Sequence, residues 1–338
     1  MQETPLVSIR CAVYNHEPFL RQCLDGFVMQ QTTFPFEVIV HDDASTDGSA
    51  AIIREYAEKY PDIIKPIYET ENQYHKHDGS LNRIMDAAIH PQSKYIAYCE
   101  GDDYWTDPNK LQMQVDIMEN NPEIGIVHTA VDKYDQKHQR ISIRNFGNPM
   151  NSFDVEMHHN ECLTLTVCFR KELYLSYRRF YAENNLIERG WKMGDYPMWL
   201  YACYYSKPYY IPKSTGVYRE LEYSASHNPD INKQIEFELS AFDIRMFFAE
   251  HFHREDLIND IKRKMVSQLQ WILLPSEQKV DIDIMQVYKE YGLPITPKLM
   301  IKHVMLSNRL LRKFFLVVLD KYVRIKPFIR GIRNRIKN

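Results

Sequence analysis

The sequence predicts an α/β fold in which a mixed, mostly parallel sheet is flanked by helices, and three observations support it. Strand-like and helix-like patterns alternate through the first half of the chain, which is typical of parallel sheets covered by helices. The chain has 338 residues, 44% of them hydrophobic, enough for a substantial core. From Ile231 onward the pattern is helical, which predicts an α-helical C-terminal extension.

Periodicity predicts the first elements. Apolar residues alternate with polar ones over 7–13, which predicts a strand, and residues 19–28 have helical spacing. A short buried strand over 37–40 ends before two acids, and a helix follows from residue 49 with Asp47 as its N-cap. A strand over 64–68 is expected at a sheet edge, because Pro66 lacks the N–H that a central strand needs.

The same reasoning gives the later elements. We expect helices over 80–89, 110–118, 171–180 and 197–205, and strands over 95–99, 124–131 and 163–169. Residues 141–157 are polar and poorly periodic, so we expect a long loop there.

Composition restricts the class of protein. The formal net charge is −3, which gives no reason to expect a nucleic-acid partner. The six cysteines form no C-x-x-C pair, which favours reduced thiols and a cytoplasmic location. The N-terminus shows no basic region followed by an apolar stretch, so we expect no signal peptide.

The last 32 residues differ from the rest. Residues 307–338 hold ten Lys or Arg and one acid, with apolar residues at helical spacing among them. Such a basic amphipathic helix is a candidate for peripheral contact with the inner face of a membrane. The alternative is a helix that packs on the domain and exposes its charged face.

Two pairs of acids follow predicted strands. Asp42-Asp43 ends one strand and Asp102-Asp103 follows another, with Gly101 just before the second pair. Ligands of parallel sheets bind beyond the carboxyl ends of the strands. Adjacent carboxylates there suit a divalent cation whose other ligands are diphosphate oxygens and water. The alternative is that both pairs are Asp-rich turns that cap helices.

These motifs, in this order and spacing, resemble family 2 glycosyltransferases with the GT-A fold. The matching segments are 5–9, 14–17, 37–49, Asn72, 80–83 and 100–111. The resemblance is strong over residues 5–130, weaker to about 227, and absent from 231–338. It implies a glycosyltransferase domain at 1–228, followed by a helical extension at 229–338 that ends in the basic tail.

The resemblance implies inverting transfer of a sugar from a nucleotide donor, usually UDP-linked, with Mn²⁺ or Mg²⁺. Asp103 would be the principal metal ligand, and Asp102 would lie by the ribose or sugar. The other donor-side residues would be Ala12, Tyr14 and Glu17 in the nucleoside pocket, Asp42 or Asp43 on the base, and Asn82 and Arg83 near the donor. The role of Glu100, where the family often has Asp, stays open.

Two further residues are candidates. Asp195 starts a predicted helix at the point where family members carry an acid, and an inverting enzyme needs one carboxylate to take the acceptor's proton. The alternative is that Asp195 only caps its helix. His227 is a candidate metal ligand, displaced from the usual family spacing after Val217-Tyr218-Arg219; the alternative is an ordinary loop histidine.

The expected acceptor is a growing polysaccharide or a lipid-linked oligosaccharide. A non-catalytic protein that binds sugar nucleotides, or a scaffold on the same fold, is the alternative from another class. A nucleotidyltransferase is less favoured, because the sequence lacks the glycine-rich, basic phosphate loop that such a reaction favours.

Overall fold

The computed structural model describes residues 4–149, 152–160, 162–222, 228–273 and 280–294. The chain divides into two compact units, Met1–Glu222 and Tyr223–Asn338. The boundary expected at residue 228 stays a prediction, because the residues just before it lie outside the described part. The basic tail, 307–338, also lies outside it.

One sheet organises the first unit. Within the described residues it contains nine strands, which are β1 (Val7–Val13), β2 (Phe36–Asp42), β3 (Ile64–Tyr68), β4 (Tyr95–Tyr98), β5 (Tyr104–Trp105), β6 (Ile124–Asp135), β7 (Arg140–Phe146), β8 (Cys168–Arg170) and β9 (Lys207–Glu220). Their order is β3-β2-β1-β4-β8-β6-β9-β5, and β7 pairs with β6. Strands β3, β2, β1 and β4 run parallel, as do β6 and β9, whereas β8, β7 and β5 pair antiparallel.

Helices flank this sheet and make up the second unit. Those of the first unit are α1 (Glu17–Val28), α2 (Ser49–Lys59), α3 (Ser80–Ala88), α4 (Lys110–Asn120), α5 (Phe153–His159), α6 (Lys171–Glu183) and α7 (Tyr196–Tyr205). Those of the second unit are α8 (Ile231–His251), α9 (Glu255–Leu273) and α10 (Ile284–Glu290). The predicted α/β class, with its C-terminal helices, is confirmed.

The centre of the sheet forms the core. Strands β2 and β4 are buried along their whole length, and β1 is buried except at Ala12. Helix α1 packs Leu20, Leu24 and Phe27 into this core, and the Phe27 ring meets Trp105 edge-on at 5.0 Å. Burial of both faces explains why β2 and β4 are rich in apolar residues without a strict alternation.

The loop expected at 141–157 is wrong. Strand β7 occupies its first part and helix α5 its second. Among the described strands, β7 pairs with β6 alone and exposes most of its side chains, so it gains main-chain hydrogen bonds without an apolar pattern. The Ser152 side chain accepts from the backbone N–H of Val155 and caps α5.

Three other local expectations need correction. The strand expected at 163–169 is a 3₁₀ turn, Thr164–Thr166, followed by the short β8. Gly48 is the N-cap of α2, although Asp47 still accepts a hydrogen bond from the Ser49 N–H at 2.9 Å. Strand β9 was not expected, because its half-exposed, mixed residues carry no clear period of two.

The described part of the second unit, 228–273 and 280–294, is helical. Helix α9 buries one stripe of apolar residues, which are Leu257, Ile261, Met265, Leu269 and Leu273. Phe242 on α8 meets the Tyr291 ring edge-on at 5.1 Å, just after α10. No helix in the described ranges is long and apolar enough to cross a membrane.

Candidate active site

The carboxyl end of β2 carries the first acid pair, next to the end of β1. Asp42 and Asp43 are both buried. The Asp43 carboxylate accepts the backbone N–H groups of Gln73, at 2.6 Å, and Tyr74, at 3.0 Å. Asp42 accepts the backbone N–H of Ser45 at 3.2 Å. Asp43 therefore fixes the segment after β3 above the sheet edge, in addition to any contact with a ligand.

Glu17 and Asp47 cap each other's helices. The Glu17 N–H, in the first turn of α1, donates to Asp47 at 3.0 Å. The Gly48 N–H, at the start of α2, donates to the Glu17 carboxylate at 2.7 Å. This exchange satisfies N–H groups that helix starts leave unpaired. Glu17 thus has a structural role in addition to the place in the nucleoside pocket that the family resemblance implies.

Aromatic rings lie next to these acids. Tyr14, directly after β1, is 39% exposed, and its ring meets His75 edge-on at 5.8 Å. Asp43 holds the backbone of neighbouring Tyr74. An exposed ring pair beyond the strand ends offers a surface that a nucleobase can contact.

Asn82 and Arg83, both on α3, face different partners. Asn82 accepts a hydrogen bond from the buried guanidinium of Arg10 at 3.1 Å. Arg10 also forms an ion pair with Asp86 at 3.1 Å. The exposed Arg83 donates to the carbonyl of Asp78 at 2.6 Å. Asn82 is exposed but bonds to the buried Arg10, whereas Arg83 bonds to its own surface turn.

The turn after β4 carries Asp102 and Asp103, and two other strands hold it. The Gly101 N–H donates to the carbonyl of Ala12 on β1 at 3.0 Å. On β9, the backbone N–H of Arg219 donates to Oδ1 of Asp103 at 2.8 Å, and its guanidinium donates to the carbonyl of Asp102. Asp103 is buried and Asp102 is half-buried. We call residues 100–103 the acid turn.

Arg219 contacts the acid turn, although the sequence predicts no role for it. Its guanidinium also donates to the side chain of Gln22 on α1, and it lies 4.5 Å from the Tyr104 ring centroid and 5.0 Å from that of Phe19. The position of Arg219 in the segment 217–219, which resembles a family motif, is the only indication that the sequence offers, and it does not show that Arg219 holds the acid turn.

The acids of this turn repel one another and Asp195. Burial raises the pKa of Glu100 to about 8, and the charges of Asp102 and Asp195 add to the shift. Burial, with Asp102 and Glu100, also raises the pKa of Asp103, and Arg219 opposes this. The fold thus brings Asp195 into the electrostatic field of the acid turn.

Asp195 begins α7, where its carboxylate has two donors. Oδ1 accepts the Tyr196 backbone N–H at 2.8 Å, and Oδ2 accepts the Thr164 hydroxyl at 2.9 Å. Burial raises the pKa of Asp195, whereas these two hydrogen bonds lower it. A carboxylate whose pKa is raised toward neutrality is a better proton acceptor at physiological pH. Asp195 caps its helix and also lies near the acid turn.

The acid turn fits a divalent cation of the diphosphate-binding type. Within the described ranges, no three His, Cys, Asp or Glu side chains form a group that could hold a metal ion by themselves. Mg²⁺ and Mn²⁺ sites on nucleotides need only one or two carboxylates, because phosphate oxygens and water complete the shell. Burial and the neighbouring acids Asp102 and Glu100 raise the pKa of Asp103, and a bound cation would favour its ionised form. His227, the other candidate ligand, lies outside the described residues.

The sheet with helices on its faces and the acid turn beyond its strand ends define an α/β protein with an acidic site at the edge of the sheet. The model of glycosyl transferase family 2 matches residues 8–197, more than half of the chain. The chain belongs to the glycosyl transferase family 2.

Two curated relatives match 36% and 40% of the chain. Uncharacterized protein Rv1520 of Mycobacterium tuberculosis is 45% identical over 120 residues, which cover 36% of this chain and 33% of that protein. Putative glycosyltransferase EpsE of Bacillus subtilis is 33% identical over 136 residues, which cover 40% of this chain and 46% of EpsE. The match thus spans about a third to a half of these relatives' length.

Two solved structures are similar in fold. TarS of S. aureus in complex with UDP-GlcNAc has a TM-score of 0.51 and 14% identity, with 89% of this chain and 90% of that chain covered. Mannosyltransferase PcManGT of Pyrobaculum calidifontis, in complex with GDP-Man and Mn²⁺, has a TM-score of 0.50 and 16% identity, with 92% and 86% covered. These likenesses show the fold.

Proposed function

We propose that the protein is a metal-dependent, inverting glycosyltransferase that moves a sugar from a nucleotide donor, of the UDP-sugar type, to a hydroxyl of a glycan or lipid-linked oligosaccharide. The observation that carries this proposal is the approach of Asp195 to the acid turn, since its charge contributes to the raised pKa of Glu100. A donor-binding acid group and a separate carboxylate base are the two parts that a single displacement requires.

The donor side of the proposal uses the acid turn and the first acid pair. Asp103 would hold Mn²⁺ or Mg²⁺ together with the donor's diphosphate, and Asp102 would lie by the ribose or sugar. The cation would offset the charge that grows on the leaving diphosphate. Tyr14 and the segment that Asp43 fixes would bound the nucleobase, with their ring pair 5.8 Å apart.

On the acceptor side, Asp195 is the base. Its carboxylate takes the proton of the acceptor hydroxyl as that oxygen attacks C1 of the sugar, and the bond from C1 to the diphosphate breaks. Inversion follows from this single in-line step. Burial of Asp195 supports the role because it raises the pKa of the carboxyl.

Residues 307–338 are proposed to bring the enzyme to its acceptor by binding the inner face of a membrane. The support is their charge, ten Lys or Arg against one acid, with apolar residues at helical spacing. Deletion of this tail should abolish co-sedimentation with anionic vesicles, and unchanged co-sedimentation would refute the membrane role.

The experiment for the main proposal is a nucleotide-release assay with a panel of nucleotide sugars, with and without Mn²⁺. We expect release of a nucleoside diphosphate, loss of that release in EDTA, and loss of Mn²⁺-dependent UDP binding in Asp103→Asn. Release of pyrophosphate would point to a nucleotidyltransferase. UDP binding without turnover of any donor–acceptor pair would favour the non-catalytic alternative.

A further inference from the structure

The hydroxyl of Thr164 contacts Asp195 in a way that ordinary turn chemistry does not explain. It donates to Oδ2 of the Asp195 carboxylate at 2.9 Å. Two residues later in the same turn, the Thr166 hydroxyl donates to the carbonyl of Leu163 at 2.6 Å, which is the usual local bond of such residues. The two threonines of one 3₁₀ turn therefore have different partners.

The donor half of the domain holds this turn in place. The indole N–H of Trp105 donates to the carbonyl of Leu165 at 2.9 Å, and Trp105 follows Asp103 by two residues. The buried side chain of Gln114 on α4 donates to the carbonyl of Thr166 at 2.7 Å. Thr164 thus lies on a segment that is fixed to the strand leaving the acid turn.

Two of the lone pairs of the Asp195 carboxylate are occupied. The Tyr196 N–H uses one on Oδ1, and the Thr164 hydroxyl uses one on Oδ2. An ionised carboxylate has about four acceptor sites, so each oxygen retains one that a substrate hydroxyl can approach. Two donors from two elements restrict rotation of the carboxylate, which one helix-capping bond does not.

We infer that Thr164 is a positioning residue for Asp195: its hydroxyl fixes Oδ2 relative to the acid turn, so that the free lone pairs stay directed at the acceptor hydroxyl. This inference rests on the base role proposed for Asp195. Restricting a reacting group to one orientation is a recognised source of rate.

Removal of the Thr164 hydroxyl has a predictable effect on titration. Among the described residues, the titratable groups that face Asp195 are Glu100 in the acid turn, Cys162 before the 3₁₀ turn and Tyr177 on α6. None of them is changed by Thr164→Val. The substitution removes a hydrogen bond that lowers the pKa of Asp195 and leaves the burial that raises it.

The test compares Thr164→Val, Thr164→Ser and Thr166→Val in the full-length protein. For Thr164→Val we expect kcat to fall about tenfold or more, while donor KM and UDP affinity stay within about twofold. The acid limb of the kcat pH profile should move up by about one pH unit. Thr164→Ser should restore both, because it keeps the hydroxyl.

The control separates positioning from folding. Thr166→Val should lower the melting temperature without moving the acid limb, since its hydroxyl contacts a carbonyl. An unmoved acid limb in Thr164→Val, or an equal movement in Thr166→Val, would overturn the inference. Asp195→Asn distinguishes the base role of Asp195 from the positioning role of Thr164. If Asp195→Asn keeps turnover, the proposed base is wrong. If it is inactive while Thr164→Val behaves as wild type, only the positioning role is wrong.

Discussion

Two glycines precede proposed site acids, and their surroundings predict opposite effects of alanine. A Cβ atom on Gly101 would lie 2.7 Å from Nδ1 of His16, 3.0 Å from Cγ2 of Val13 and 3.3 Å from Cδ1 of Leu20. Val13 and Leu20 are fully buried. Because the added atom meets side chains of β1 and α1 that have no free space, the acid turn must shift.

Gly194 provides the matched control. It stands directly before Asp195, and no described atom outside its two chain neighbours lies within 4 Å of a Cβ built on it. Neither Gly101 nor Gly194 has a positive φ, so backbone strain does not distinguish them. The two substitutions differ only in the space around the added methyl group.

The expected magnitudes follow from packing. Overpacking at Gly101 should cost about 1–3 kcal/mol of unfolding free energy, which lowers the melting temperature by about 2–12 °C. Gly194→Ala should stabilise by about 0.4–1 kcal/mol, because alanine restricts the unfolded chain. Gly101→Ala should also weaken Mn²⁺-dependent UDP binding, since Asp102 and Asp103 move with the turn.

The assay is thermal unfolding combined with calorimetric titration of UDP in Mn²⁺. The reasoning is refuted if Gly101→Ala melts and binds as wild type. It is also refuted if Gly194→Ala destabilises as much as Gly101→Ala, because the packing difference would then have no effect.

Three further predictions concern buried charges. Burial lowers the pKa of Lys110 to about 8, so its ammonium destabilises the fold at neutral pH, and the free energy of unfolding should increase as pH rises from 8 toward 10.5. Lys110→Met should flatten this increase in denaturant titrations. Parallel curves of unfolding free energy against pH for the variant and the wild type would contradict the prediction. Because the pKa of Glu100 is raised to about 8, the metal-free protein should lose stability as pH rises from 4.5 through 8. Glu100→Gln should therefore have a higher melting temperature than the wild type at pH 8.5 in EDTA. An equal melting temperature would refute the raised pKa of Glu100. Arg219→Met should lower the free energy of unfolding by about 1.5–3 kcal/mol and weaken metal-dependent UDP binding. The control Arg21→Met breaks an exposed ion pair and should lower it by less than about 1 kcal/mol. Equal losses of unfolding free energy in urea would argue against the Arg219 side chain as a group that holds the acid turn.

Much of the fold was predictable because the elements that make it are buried. Strands β2 and β4 contain apolar runs, β1 has a period of two, and Pro66 correctly indicated an edge strand. Strand β7 was missed because its hydrogen bonds to β6 need no apolar side chains. Strand β9 was missed because its mixed residues carry no period of two.

The positions of the site acids were predictable where the strand topology alone determines them. Asp42 and Asp103 were expected at strand ends because parallel strands deliver their following residues to one edge. The contacts that hold the site could not be read from sequence. Thr164 reaches Asp195 across 31 positions, and Arg219 holds Asp103 through a backbone N–H, a group that every residue type except proline carries.

The central claim is that Asp195 takes the acceptor's proton, and Asp195→Asn tests it most directly. Asparagine keeps an acceptor for the Tyr196 N–H, so helix α7 should remain capped, but it cannot take a proton. We predict that turnover in the nucleotide-release assay falls by about 10²-fold or more, while the Kd for UDP in Mn²⁺ and the melting temperature stay at wild-type values. Turnover within a few-fold of wild type would contradict the account.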